Sequence, residues 1–526
     1  MIRRISVPVS IMLAVALLLS ACGSSKKASV SVQTTTVAAS GAPSSSAVAH
    51  LAFYSDIATV DPDVFYDIEG DAVTTSVYDG LLRYKPDSTS LEGALAQSWT
   101  ISKDKRTYTF DLRPNAKFSD GMDVTSTAVK TSFERRTKVN QGPAYMLADV
   151  ARYETPSPKT LVVVLKQPTA DFLDLMASVW GPKVINPNVL TAHASDQAQK
   201  YLKTHASGTG AFMLTSFKQG TGYTLVRNPH YWGPEPYFAK VEISVTPDVS
   251  AQLLALQKGD LDAILHGFPL ANLDTVRSDK HLAVHTFDSL GTMTLDLNFN
   301  RAPLHDVNVR RAVVEGMDIN NLVQEVWGNT AVVPKSAYPS PLLNSSAAAV
   351  SYPYDQAKIK AAIPKGLTLD VVYTPDSSGV QRRLADLIRQ KLALVGVTAK
   401  VHQVELGTVF GYRDNVQKAA DIYLSTPTPD AAHPDAWGRI VWYTKGGLNF
   451  FNYSNKGVDA ALDRGLRANG SSATGDYGQA GKLAGADWSV DPIAQVQDVV
   501  VTRADLGGVE HVPAYPWTIN LATLRR

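Results

Sequence analysis

The side chains in this sequence that could do chemistry are spaced in ways that argue against most of it. Of the eleven histidines, His205, His230, His305, His402, His433 and His511 stand far apart. His281 and His285 are four apart, but the Leu282-Ala283-Val284 between them reads as strand, which would not bring both rings to one side of a helix. Gly208-Thr209-Gly210 lacks the third glycine of a dinucleotide loop. No HExxH, GxSxG or GxxxxGK[ST] occurs, and the Ser24-x-x-Lys27 spacing falls in a polar, low-complexity stretch where it carries no weight. One cysteine excludes a disulfide framework, a CxxC redox pair and a Cys-rich zinc site. No nucleophile–base set stands out. The expectation is a binding protein rather than an enzyme, with neither metal nor cofactor.

That single cysteine, Cys22, sits at the end of a leader. Arg3 and Arg4 give a basic start, and Ile5 to Leu19 is apolar but shorter than the roughly 20 residues a spanning helix needs. Leu19-Ser20-Ala21-Cys22 resembles the lipobox of a bacterial lipoprotein signal. The resemblance implies a signal peptide over 1–21 and lipidation of Cys22, which would hold the protein at the outer side of the cell membrane without spanning it. Arg3-Arg4 leaves twin-arginine export open beside the general route. Residues 22–48, rich in Ser, Thr and Ala, cannot bury enough apolar surface to offset their ordering entropy and read as a flexible tether.

The body that such residues would need is large. At 526 residues with 44% hydrophobic and 8% aromatic side chains, the chain suits two or three packed domains. Lys plus Arg is 50 against 49 for Asp plus Glu, a net charge of +1, which gives no electrostatic reason to expect nucleic acid. From Leu51 onward strand-like and helix-like patterns alternate, which favours an α/β architecture. Trp99–Ser102 and Tyr108–Leu112 flank a polar turn and predict a hairpin, and Leu161–Leu165 predicts a buried strand. Gln381–Val395 predicts a helix with Leu384, Leu387, Ile388, Leu392 and Val395 on one face and Gly396 ending it. Asp306 is placed to cap a helix carrying Arg310 and Arg311, for which ion pairs to neighbouring elements are expected.

Five blocks resemble the family 5 extracellular solute-binding proteins, the dipeptide- and oligopeptide-binding class of ABC importers. They are Val77-Tyr78-Asp79-Gly80-Leu81-Leu82 with Leu95–Trp99; Tyr108–Arg113 with Lys117–Gly121; Gly208–Phe212 with Arg227–Gly233 and Leu256–Asp262; Leu297–Asn300, Pro303-Leu304 and Val309–Ala312; and Ala420–Tyr423 with Pro429-Asp430 and His433-Pro434-Asp435. They run in family order from roughly residue 50 to the end. Most of these residues are expected to maintain the fold. The resemblance implies a bilobal, periplasmic-binding-protein-like fold of type II with an extra α/β domain inserted in the first lobe. Carried over, residues 49–86, 206–288 and 495–526 form lobe I, 87–205 the additional domain and 289–494 lobe II, expected as a monomer. Lys105 stands where the family usually has a turn glycine, and Thr127-Ala128 where its helix start is usually acidic.

The same resemblance implies a receptor that captures short peptides by lobe closure and hands them to ABC permease subunits. In the family an aspartate four residues before a proline binds the peptide ammonium, and Asp430 stands four before Pro434. Asp430 beside Pro429 also suits simple turn initiation, and Asp435 is the competing carboxylate. The family tryptophan three residues before that aspartate is replaced by Pro427, with Trp437 as a substitute from the other side. Tyr54 and Thr209 are further expected ligand contacts. The alternatives are the same receptor with a non-peptide cargo (a nickel complex, an oligosaccharide), or an envelope scaffold of this fold that no longer transports.

Overall fold

The computed structural model describes residues 41–343, 348–468 and 470–526. The leader over 1–21, Cys22 and the tether as far as residue 40 lie outside the described residues. In chain order, strand β1 (Val48–Phe53) and helix α1 (Asp71–Val77) come first, followed by β2 (Ala96–Ile101), β3 (Thr107–Leu112), α2 (Ser126–Val139), β4 (Val150–Ser157) and β5 (Thr160–Leu165). Strands β6 (Phe212–Lys218), β7 (Gly222–Arg227), β8 (Lys240–Val245), the short β9 (Ala263–Ile264) and the long β10 (Leu282–Leu297) follow. Then come α3 (Val307–Gly316), β11 (Thr368–Tyr373), α4 (Val380–Leu394), β12 (Thr398–Gln403), β13 (Ile422–Ser425), α5 (Pro434–Val441) and β14 (Val490–Arg503).

One mixed sheet runs β12-β11-β13-β10-β14-β9-β1-β8-β7-β6, with Ala331–Val332 also pairing with β14. At its middle, β10 and β14 pair antiparallel over most of their length. Their register breaks between Asp288 and Thr292, where Leu290 N–H donates instead to Pro513 O (3.0 Å). A separate antiparallel sheet, β2-β3-β5-β4, contains the expected hairpin and places the Leu161–Leu165 run in β5, an interior strand. Tyr108, Phe110 and Leu112 alternate with Leu161, Val163 and Leu165 as its buried residues.

Apolar side chains gather in separate clusters. The largest joins Leu51, Val73, Phe110, Phe133 and Leu225, and a second joins Leu295, Val313, Ile388 and Leu424. Helix α4 feeds the second through Leu384, Ala385, Ile388 and Leu392, while Leu387 is only partly covered at its edge. Gly396 follows at φ 88°, a conformation that costs glycine nothing and ends the helix. Lys105 takes φ 55° in the hairpin turn, so this lysine holds a backbone geometry that favours glycine.

Asp306 caps α3 by accepting from Asn308 N–H (2.8 Å), as its position in the sequence suggests. Among the described residues neither following arginine makes the expected ion pair to a neighbouring element. Arg311 pairs with Glu315 one turn on (2.8 Å). Buried Arg310 instead donates to the carbonyls of Leu304 (2.6 Å), Asp487 (2.8 Å) and Trp488 (3.1 Å). Asp487 closes the helix Gly470–Asp487, whose last carbonyls have no partner within the helix. A guanidinium there satisfies orphan acceptors and opposes the negative end of the helix dipole.

The segment after β1 is fixed by α2. Arg135 binds Asp61 (2.6 Å) and Asp63 (2.6 Å), and Arg136 binds Asp63 (2.8 Å), all at side chains no more than 3% exposed. Arg136 also donates to the carbonyls of Pro62 and Trp180 (both 2.7 Å). Removing one member of so enclosed a network typically costs about 3–5 kcal/mol, because the remaining charges stay buried without partners. The network sets the position of the residues that follow, from Val64 to Glu69.

Candidate functional site

Strand β13 ends at Ser425 because Pro427 and Pro429 have no N–H to continue the ladder. The chain leaves the sheet there as a loop that is tied at several points. Thr292 N–H donates to Pro427 O (3.0 Å), Ser178 Oγ donates to Asp430 O, and Ala432 N–H donates to the Tyr84 hydroxyl (2.9 Å). The loop presents Asp430 to a cavity of about 530 Å³. Its walls come from the start of the chain (Tyr54, Tyr66, Asp67, Trp180), from its middle (His266, Thr374, Asp376, Gln381) and from its end (Val496, Trp517).

Asp430 is 7% exposed. Tyr66 donates its hydroxyl to Oδ2 (2.6 Å), and Tyr145 donates to the same oxygen. No described residue donates to Oδ1. Burial pushes the Asp430 carboxyl above the usual carboxylate range, and the two phenols pull it partly back. Burial and the neighbouring Asp430 charge push both phenols upward in turn, so they remain O–H donors. The two tyrosines are 41% and 49% exposed as residues, and their hydroxyl contacts with the carboxylate are partly buried. Tyr66 is held edge-on to Trp180, with ring centres 5.4 Å apart, and the indole N–H of Trp180 donates to Asp67 O (2.8 Å).

Another part of the wall is built around buried Glu69. One of its oxygens accepts from Tyr54 N–H (3.2 Å) and the other lies 3.1 Å from His266 Nδ1. The His266 ring stacks on Trp517, centres 4.3 Å apart, and meets Tyr54 edge-on at 4.8 Å. Among the described residues no group of three or more His, Cys, Asp or Glu side chains is arranged to hold a metal ion. The arrangement can take an ammonium at Asp430, flat or apolar groups against its aromatic walls, and hydrogen-bond donors at its free acceptors.

The profile described as bacterial extracellular solute-binding proteins, family 5 middle, matches residues 90–449. The chain is also 32% identical to a probable D,D-dipeptide-binding periplasmic protein of Escherichia coli, over 90% of this chain and 93% of that protein. The chain belongs to the family 5 extracellular solute-binding proteins. Solved structures share its fold. The ABC transporter-associated periplasmic binding protein DppA from Helicobacter pylori, in complex with peptide STSA, matches at TM-score 0.77 and 22% identity over 91% of this chain and 98% of that one. NikZ from Campylobacter jejuni, in complex with Ni(L-His), matches at TM-score 0.77 and 22% identity over 92% and 100%.

Of the positions proposed from the family 5 resemblance, the structure puts Asp430 and Tyr54 at the cavity and three others elsewhere. Asp435 is spent inside α5, where Arg439 grips both its oxygens (2.7 and 3.0 Å), and it does not border the cavity. Trp437 is wholly enclosed and donates its indole N–H to Ala337 O (2.9 Å), so it does not replace the family tryptophan. Thr209 is wholly buried and donates to Asp79 Oδ2 (2.8 Å), the same oxygen that receives the Trp232 indole N–H (2.9 Å). The flanking glycines explain the motif: a Cβ on Gly208 would meet Val77 O at 2.3 Å, and one on Gly210 would meet Ser76 O at 2.2 Å. His433 likewise turns inward, its Nδ1 capping α5 by accepting from Asp435 N–H (3.2 Å), with burial pushing its pKa down to about 4.

Sequence reasoning missed Tyr66, Tyr145, Glu69, His266 and Trp517. Tyr66 and Tyr145 stand 364 and 285 positions from Asp430, and no local pattern marks a tyrosine that meets a partner across such a separation.

A carboxyl raised by burial binds protons more readily in the folded chain than in the unfolded one, so ionising it costs stability as pH rises through its folded pKa. Asp430→Asn keeps an acceptor for both phenols and removes that cost. Its melting temperature without ligand is expected to equal or exceed that of the wild type at pH 7. The difference should shrink below about pH 4, where the wild-type carboxyl is protonated in both states. Thermal scans across pH check this, and a marked loss of stability at pH 7 would contradict it.

Proposed function

We propose that this family 5 protein is the extracytoplasmic receptor of an ABC importer, capturing short peptides with Asp430 as acceptor for the terminal ammonium. The observation that carries the reading is the division of labour at that carboxylate, which borders the cavity: Oδ2 takes both phenols, and no described residue donates to Oδ1. An ammonium there gains a charge-assisted bond in an enclosed setting. The names of relatives support the cargo class, since one is called D,D-dipeptide-binding and a solved neighbour holds the peptide STSA.

In this reading residues 49–86, 206–288 and 495–526 form lobe I, 87–205 an additional domain carrying β2–β5, and 289–494 lobe II. Strands β10 and β14 join the lobes, and their register break at Asp288 to Thr292 marks where closure bends them. The closed form presents a surface to the permease, and no covalent chemistry is involved. Residues 1–21 direct export, and lipid on Cys22 holds the protein at the membrane through the tether.

Calorimetry with L-Ala-L-Ala and D-Ala-D-Ala tests the site. At least one is expected to bind the wild type, and Asp430→Asn should weaken that binding by about 2–5 kcal/mol, the usual cost of truncating one partner of a buried charge pair. Equal affinity in both forms would remove Asp430 from the site. For the anchor, Cys22→Ser should move the protein from the membrane to the soluble fraction of the host cell. Unchanged membrane association would refute lipidation at this residue.

A further inference from the structure

The charges around the cavity are of one sign. Asp67, Asp376 and Asp430 border it, and among the described residues no Lys or Arg does. Among the described residues His266 is the one basic side chain at the cavity, and its Nδ1 is occupied by Glu69 at 3.1 Å. The Arg413 guanidinium lies 5.7 Å from the centre of the Phe410 ring and donates to Gly447 O. A free carboxylate entering this cavity would therefore lose its water without meeting a cation, a cost of several kcal/mol that binding seldom recovers.

The hydrogen-bonding groups lean the same way. Gln381 is 8% exposed, its amide N–H donates to Thr426 Oγ1 (3.3 Å), and its Oε1 is buried without a donor. Among the described residues nothing donates to Asp430 Oδ1 either. A buried acceptor left unmatched typically costs about 1–3 kcal/mol, which a donor-rich ligand restores. Tyr54 lies within the fields of Glu69, Asp67 and Asp376, which together with burial push its phenol upward and keep it protonated. Trp180, Trp327 and Trp517 add aromatic faces that favour a cation over an anion.

We infer that the cavity selects basic peptides and disfavours free carboxylates: the terminal ammonium binds Asp430, a lysine- or arginine-like side chain faces Asp67 and Asp376, and the carboxyl end is blocked or lies outside. This rests on the peptide reading and adds which peptides are taken. Asp67 and Asp376 are exposed, so their share is screened by salt, whereas the penalty on a carboxylate in the interior is not.

The test is calorimetry on the purified protein with four probes: Ala-Lys amide, L-Ala-L-Ala, L-Ala-L-Glu and spermidine. The expected order is Ala-Lys amide tightest, Ala-Ala about tenfold or more weaker, and Ala-Glu weakest, a tenfold step corresponding to about 1.4 kcal/mol. Asp376→Asn removes the charge and keeps one acceptor oxygen for the first amides of α4, where Asp376 uses Oδ2 for Val380 N–H and Oδ1 for Gln381 N–H. It should lower the preference for Ala-Lys amide over Ala-Ala by about threefold, and added salt should lower it in the same direction. Ala-Glu or Ala-Ala binding as tightly as Ala-Lys amide would overturn the charge selection and leave the peptide receptor standing. Binding of spermidine alone would keep cation selection and remove the peptide reading. Binding of none of the four would remove both.

Discussion

The account depends on a carboxylate that is only half satisfied. Asp430, at the edge of a cavity, is taken almost wholly out of water and given two phenols on one oxygen, while no described residue donates to the other. A protein built only for stability would neutralise such a group or pair it internally, as this one does with Asp61, Asp63 and Asp435. Leaving it open costs stability in the empty state, and under the proposed function that cost is what a bound cation would relieve. Binding and folding pull against each other at this side chain, as expected where a site must be ready before its ligand arrives.

Holding that oxygen in place takes much of the chain. Pro427 and Pro429 take the loop off the sheet, and Ser178 and Tyr84 fasten its main chain. The Asp61–Arg135 and Asp63–Arg136 pairs fix the segment that delivers Tyr66, so a buried ionic network whose own charges do not line the cavity sets the position of a donor in the site. Tyr145 arrives from the short turn after α2, the same helix that carries both arginines. Among the described residues, therefore, one helix governs both phenols through different routes. The wall formed by Tyr54, Glu69 and His266 draws on residues that follow β1 and β9, neighbouring strands of the large sheet.

The sequence made some of this legible, for identifiable reasons. The hairpin, the β5 run and α4 were readable because each shows a local period that its own burial imposes. The family blocks were readable because glycine and aspartate at fixed spacing satisfy local constraints, and Gly208 and Gly210 show the constraint to be a close approach to residues 76–77. Asp430 could be singled out only through the family pattern around it. Its neighbours misled: Asp435 and Trp437 share its segment, but α5 begins at Pro434 and turns both into the interior. Arg310 misled in a smaller way, since its partners are main-chain carbonyls that carry no sequence signature. Tyr66, Tyr145 and Trp517 were not readable at all, because what places them is pairing across the whole fold.

The central claim is that the free oxygen of Asp430 receives a positively charged amine. It is tested most directly by comparing one peptide with its N-acetylated form, for example Ala-Lys amide and N-acetyl-Ala-Lys amide, by calorimetry against the wild-type protein. Acetylation removes the ammonium and changes little else. The account predicts a loss of about 2–5 kcal/mol in the wild type, and little further loss in Asp430→Asn. Equal binding of the two peptides by the wild type would contradict it.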